Sequence, residues 1–485
     1  MARRSVAVLA MAAMLAGCGG DGGSGGGTFT ATPTPTPTTA TGCSLRERQD
    51  WVAAQLREWY LFPDTLPTGL DPSRYTTVDD YLNALTATAR AQRKDRYFTY
   101  LTSIQQEDAY YSSGSSAGFG VRFNTDSGGR LLVSEAFEGA PALAAGIDRG
   151  TEILAIGTNA NTLQTVSSLN AAGGTALSDA LGPSTAGTQR TLQVRDASGT
   201  RIVTLTKTDY TLTPVSSRYG AQVITDGGQR YGYVNLRTFI DTADPALRAA
   251  FAQFKAAGVT NLIVDLRYNG GGLVSIAELM SNLLGGNRST SDVISYTTFR
   301  PEKSSQNVTT FFAPQSQSVA ATKIAFIGTG STASASEYVI NAFTPYLHSN
   351  SGLIGSNTYG KPVGQIALDK AACDDRLRVI AFALQNSARQ GAYYDGLANT
   401  VEASCKAPDD LTYPMGDPRE GSTRAALDFL QGKSCTRIGA TAGLAATASV
   451  RDGQEPAALS DLPREALVPR FERMTPAQRE VPGLF

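Results

Sequence analysis

The period of the hydrophobic positions changes along the chain and divides it. Between residues 45 and 102 apolar side chains recur at helical spacing: Trp51, Leu56, Trp59 and Tyr60 share one side, Pro63 stops the run, and Val78–Ala91 repeats the pattern. This predicts a small helical domain over 43–114, with the aromatic stripe as its core. From 117 to about 207 the period becomes that of strands separated by Gly and Asp/Asn turns. Strands are expected at 131–136, 152–156 and 190–194, with a short helix at 140–147 opened by Pro141 and closed by Gly146. Beyond 209, strands alternate with helices. Residues 231–239 read as a strand, Asp244 and Pro245 as the N-cap and first position of a helix through Phe254, and Gly258 as its end. Residues 261–266 read as a buried strand. Val274, Ile276, Leu279, Leu283 and Leu284 then mark one helix face, and Val339, Ile340, Phe343 and Leu347 another. The alternation predicts an α/β core with mostly parallel pairing over 209–435. Residues 436–485 are Ala/Thr-rich, then Arg/Glu/Pro-rich, and read as a partly disordered tail.

The amino terminus changes this picture. Arg3 and Arg4 precede an apolar run, residues 6–15, that is too short to span a bilayer and reads as a signal-peptide core. The Leu-Ala-Gly-Cys that follows resembles the bacterial lipobox, which implies a leader over 1–17 and a lipid on Cys18 that anchors the body to a membrane. Residues 18–42 are Gly/Ser-rich and then Thr/Pro-rich, the composition of a tether. The expected location is the bacterial cell envelope, lipid-anchored at the outer membrane, with the body in the periplasm or at the cell surface. An exported chain with four further cysteines, Cys43, Cys373, Cys405 and Cys435, is expected to form disulfides. Of the three possible pairings, Cys373–Cys405 with Cys43–Cys435 is the one expected. A net charge of −1 over 485 residues gives no reason to expect nucleic acid as a partner.

Candidate chemistry concentrates at 323–361. The expected strand 323–329 runs through Gly and small residues into the expected helix 335–347, with serines at the turn. A serine there meets orphan N–H groups and the positive end of the helix dipole, which suits a nucleophile and the oxyanion it creates. Ser334 is read as the nucleophile and Lys361, flanked by Gly360 and Pro362, as its base. Ser334-Ala-Ser-Glu337 also fits a capping box, in which the serine only closes a helix end. A second glycine-rich strand-to-helix turn, 269–272, would let backbone N–H groups approach a ligand.

Two resemblances follow. Gly118-Phe119-Gly120-Val121, with Ala145-Gly146-Ile147-Asp148-Arg149-Gly150 downstream, resembles a PDZ domain over 115–208. The resemblance implies that Gly118, Phe119, Gly120 and Val121 bind a peptide carboxyl end while the next strand pairs with the peptide. The motifs DLRYNGGG, GTGSTASASE and TYGKPVGQ, in this order behind the PDZ-like segment, resemble the carboxyl-terminal processing (tail-specific) proteases. That resemblance implies a multidomain α/β fold, comprising an N-terminal helical domain, a PDZ-like β domain and a protease core of strand–turn–helix units. It implies a Ser-Lys hydrolase acting on proteins or peptides with a free carboxyl terminus, without metal or organic cofactor. Ser334 matches the nucleophile, Lys361 the base, Gln365 the residue that orients the lysine, and the N–H groups of Gly271 and Ala335 the oxyanion hole. Gly270 stands where the family often has proline. The interval from Ser334 to Lys361 is about two residues longer than is usual in the family, with the excess assigned to the turn at 348–350; if that is wrong, Ser336 is the nucleophile.

Other hydrolase designs fit less well. His348, the single histidine, lies in a polar turn, and Gly114-Ser115-Ser116-Ala117-Gly118 lacks the strand-before, helix-after context of a nucleophile elbow. Asp265 and Arg267 are assigned structural roles. A rival of another class is a membrane-tethered, PDZ-containing binding protein without turnover.

Overall fold

The computed structural model describes residues 41–439, 464–467 and 474–485. The leader, Cys18 and the tether lie outside these residues. The sheet that carries the candidate site has the order Ala221–Asp226, Gln229–Asn235, Asn261–Asp265, Lys323–Gly328, Ser351–Gly355, Ala403–Lys406. Its first two strands form an antiparallel hairpin and all later pairings are parallel. Side chains alternate between its faces. Leu262, Val264, Ile324, Phe326 and Leu353 enter a core with helices Ala243–Ala256, Val274–Leu284 and Ala335–Leu347. Ile263, Ala325, Ile327 and Ile354 enter a second core with helix Gly421–Leu430. Covering both faces explains why these strands read as unbroken apolar runs.

One helix start differs from expectation. Thr242 is the N-cap of Ala243–Ala256, so Asp244 and Pro245 lie within the first turn. A proline is tolerated there because the first N–H groups have no partner inside the helix, and the Asp244 carboxylate instead accepts from Arg248 at 2.7 Å.

Strand–helix alternation hid a second, antiparallel sheet. Tyr100–Ser103, Asp375–Gln385, Val293–Phe299 and Val308–Phe311 follow in order, with Val363–Lys370 also paired to Asp375–Gln385. Helices Leu45–Trp59 and Val78–Ala91 lay Val52, Leu56, Leu82 and Leu85 on its Val363, Leu377, Val379 and Ile380. The amino-terminal helices therefore share one core with strands more than 270 residues further along. A disulfide fastens this junction: the pairs are Cys43–Cys373 and Cys405–Cys435, each with Cα atoms 5.5 Å apart, and not the expected ones. The reason is topological. Cys43 immediately precedes Ser44, the N-cap of the first helix, and bonds the 371–373 turn, and Cys435 follows the helix that packs beside the Cys405 strand.

A third sheet forms a β domain whose strands run in the order Arg464–Ala466, Val121–Asp126, Leu131–Ala136, Glu152–Gly157, Gln189–Asp196, Gly199–Thr206. The expected tail differs from the structure in its described part. Arg464–Ala466 is an edge strand on Val121–Asp126, Pro476–Glu480 is a helix, and Ala477, Val481 and Leu484 are buried against Tyr110, Phe137 and Ile240. Low periodicity there reflects a segment whose apolar side chains are spent on other domains' surfaces, so no face of its own repeats.

Candidate active site

Three turns at the carboxyl ends of three adjacent parallel strands meet, the position where α/β sheets hold ligands. The first turn follows Asn261–Asp265. Arg267, fully buried, bonds Asp265 and Glu420 at 2.8 Å each and anchors the turn's root, the structural duty expected of Asp265 and Arg267. Asn269 then organises the turn. Its Nδ2 donates to Leu236 O (2.9 Å), and its carbonyl accepts from Ala333 N (3.1 Å) and Ser336 Oγ (2.9 Å).

The second turn follows Lys323–Gly328 and ends at Ser334, N-cap of Ala335–Leu347. Ser334 has φ 55° and ψ −115°, a left-handed conformation that costs a non-glycine residue about 1–3 kcal/mol. The surroundings impose it. Its N–H donates to Glu337 Oε2 at 3.0 Å, and a Cβ on Gly271 would lie 2.8 Å from its own Cβ. Ser336 is buried with its hydroxyl committed to the Asn269 carbonyl.

The third turn, after Ser351–Gly355, carries Lys361. The 348–350 segment, where the surplus residues were expected, is a single 3₁₀ turn between helix and strand. Lys361 Nζ donates to Gln365 Oε1 at 2.9 Å, and Gln365 Nε2 donates in turn to Phe98 O. Nζ lies 5.2 Å from the Phe98 ring centre. Burial lowers the lysine pKa from its ordinary value, with the Glu480 and Asp95 carboxylates opposing. Arg96 holds the turn from outside, donating to the carbonyls of Tyr359 (2.5 Å) and Gly360 (2.7 Å) while lying over the Tyr359 ring.

Glu337 links the second and third turns. Besides Ser334 N, its carboxylate accepts from Thr358 Oγ1 (2.6 Å), Gly360 N (2.7 Å) and Lys361 N (2.7 Å). Burial raises its pKa, and the four donors oppose that shift. The Ser-x-x-Glu pattern is thus a helix cap whose acid also positions the lysine backbone.

Not every expected feature is in working order. Ser334 Oγ and Lys361 Nζ are not hydrogen-bonded to each other among the described residues. Gly271 lies against Ser334 and Ala335 as expected, but its N–H donates to Asn269 Oδ1 at 2.9 Å and is not free for an oxyanion. The neighbouring Gly270 N–H donates at 2.8 Å to the backbone carbonyl of Glu480. Gly118 ends the strand Ser115–Gly118, Phe119 and Gly120 link it to Val121–Asp126, and Phe119 and Val121 are buried; the next residue, Arg122, reaches the first turn by donating to Tyr268 O at 3.1 Å. His348 is exposed and bonds Glu402 at 2.7 Å. Glu337, Arg96 and Glu480 were missed as functional candidates. Only Glu337 left a signal, as the acid of the cap.

Residues 230–389 match the model described as Peptidase family S41, and residues 47–100 that of the Peptidase S41 N-terminal domain. The chain carries peptidase family S41 domains. The S41 match contains all three turns, and the N-terminal match contains Arg96 and Phe98, which hold the lysine turn. Among curated relatives, the chloroplastic C-terminal processing peptidase of Tetradesmus obliquus is 31% identical over 180 residues, 36% of this chain and 36% of the relative. The chloroplastic carboxyl-terminal-processing peptidase 3 of Arabidopsis thaliana is 32% identical over 187 residues, 36% and 34% of the two. The S41 chain thus aligns with about a third of the length of each relative. A crystal structure of an S41-type protein from Bacteroides fragilis shares the fold, with a TM-score of 0.61 at 22% identity over 79% of this chain and 97% of that one.

Proposed function

We propose that this S41 protein is a serine endopeptidase of the carboxyl-terminal processing type, with Ser334 as nucleophile and Lys361 as general base. The observation that carries the reading is the single buried carboxylate of Glu337 bonded to the backbone of both residues. A lysine of ordinary pKa is neutral in well under about one part in a thousand at pH 7. The burial of Lys361 raises that fraction, and Gln365 aims the amine.

Neutral Nζ takes the Ser334 proton as Oγ attacks the substrate carbonyl. The oxyanion rests on Ala335 N–H at the helix N-terminus, and on Gly271 N–H once that donor leaves Asn269. Lys361 then returns the proton to the departing amine, and water, activated by the same lysine, hydrolyses the acyl-enzyme. No step calls on a metal or cofactor. Substrates are exported proteins or peptides cut near their carboxyl ends, a reading supported by the names of the relatives and by the PDZ-like edge strand. Cys18 carries the lipid, which keeps the enzyme at the bacterial envelope.

The test is cleavage of an unstructured protein with an apolar carboxyl-terminal tail by the purified protein. Ser334→Ala and Lys361→Ala abolish it and Ser336→Ala cleaves. Activity surviving Ser334→Ala but lost in Ser336→Ala moves the nucleophile. A parent that binds the tail without cutting it is a binding protein.

A further inference from the structure

Residues 474–485 occupy the surfaces a peptide substrate would need. Along the strand Val121–Asp126, whose far half pairs with Arg464–Ala466, the near half is covered by the end of this segment: Phe485 N donates to Val121 O (2.9 Å), Val121 N donates to Phe485 O (3.3 Å), and Phe123 N donates to Gly483 O (2.8 Å). Leu484 pairs antiparallel with Arg122. This is a strand added to a sheet edge, the way an extended peptide binds such a domain. The Phe485 side chain, 2% exposed, fills a pocket with Phe119, Phe123, Leu177 and Leu181, beneath Lys207. Five residues earlier the same segment crosses the catalytic turns. The Glu480 carbonyl takes the Gly270 N–H, its carboxylate accepts from Tyr111 (3.0 Å), and its charge acts on Lys361. Gln478 ties the two halves together through Leu484 O (2.8 Å).

We propose that residues 474–485 are a built-in occupant of the peptide groove, which holds the site closed until an extended segment with large apolar residues, like Leu484 and Phe485, displaces it. This rests on the reading of the site as a peptidase. It accounts for three features together: a serine and lysine not bonded to each other, residues 121–123 of the β domain already paired with 483–485, and a glycine N–H beside the nucleophile already holding a peptide carbonyl. A carboxylate at position 480 also favours the charged amine of Lys361, the form that cannot accept the serine proton. Five residues of extended chain reach at most about 18 Å, so a substrate seated where Phe485 sits would run to the catalytic turns along the route this segment takes.

The test uses a fluorescent synthetic peptide of residues 474–485 and three proteins in a Ser334→Ala background: the full chain, a chain lacking 474–485, and Leu484→Asp/Phe485→Asp. A tethered ligand competes at an effective concentration near millimolar, so both altered chains are expected to bind the peptide at least about tenfold more tightly than the full chain. With Ser334 restored, they cleave an unstructured protein faster than the parent, and added peptide inhibits them. Equal binding by all three, or none by folded altered chains, overturns the inference; where the shortened chain fails to fold, the double substitution decides. The binding difference without turnover in any form would sink the peptidase reading and leave the groove assignment standing.

Discussion

Glu337→Gln separates this account from one in which Ser334 merely caps a helix. The substitution keeps shape but leaves one acceptor oxygen where there were two. Oε1 serves Thr358 and Gly360, and Oε2 serves Ser334 and Lys361. An amide can satisfy one pair, and its NH₂ then faces two donors in a site without exposure. Each buried donor left unpaired costs about 1–3 kcal/mol, giving about 2–6 kcal/mol of lost stability. The left-handed Ser334 backbone, itself about 1–3 kcal/mol uphill, loses a restraint as well. If about 3 kcal/mol of this appears as misplacement of Ser334 and Lys361, kcat falls by about two orders of magnitude, since each 1.4 kcal/mol is a factor of ten. Thermal unfolding and a kcat-against-KM comparison on an unstructured protein read both effects. Peptide binding at residues 121–123, none of which bonds Glu337, stays unchanged. A Glu337→Gln protein with parental kcat and melting temperature would refute the reasoning.

Other outcomes follow from the same geometry. Burial lowers the Lys361 pKa from 10.5, so kcat/KM rises with pH through that lowered value and the limb lies below 10.5; a limb at or above it contradicts the assignment. The stability term has the same sign: the fold binds fewer protons than the unfolded chain, so stability at this residue increases from the lowered value up to 10.5, as a melting-temperature series with Lys361→Met as reference would read. Gly271→Ala places a Cβ 2.8 Å from Ser334 Cβ at φ +125° and is expected to lose activity and melting temperature together. Cys405→Ser with Cys435→Ser opens a cross-link of sequence separation 30, worth about 3–4 kcal/mol on chain-entropy grounds, and a denaturant titration is expected to shift accordingly.

Much of the layer that carries the candidate site was readable because each element follows from short-range pattern. The run Ile324 to Ile327 and the Val339, Ile340, Phe343, Leu347 face announce strand, turn and helix, and Gly270 to Gly272 announce a close backbone approach. What stayed hidden depends on long-range pairing. Tyr100–Ser103 looks like a domain's end and is a strand of the sheet that carries Gln365. Cys43 meets Cys373 across a separation of 330 residues, which no local pattern encodes. Gly271 N–H is turned aside by Asn269 Oδ1, a detail of one side-chain rotamer. The end of the chain showed weak periodicity because Ala477, Phe485 and Glu480 each serve a different neighbour: the helix Ile104–Ser113, the β domain and the lysine turn.

The central claim, that Ser334 attacks with Lys361 as base, is tested most directly by trapping the acyl-enzyme. The protein would be mixed with an activated ester of a short apolar peptide, quenched in acid within the first turnover, and mapped by mass spectrometry. The account predicts one acyl group, on Ser334, absent from Ser334→Ala and formed far more slowly in Lys361→Ala. An acyl group on Ser336 or elsewhere, or continued turnover with none on Ser334, would contradict it.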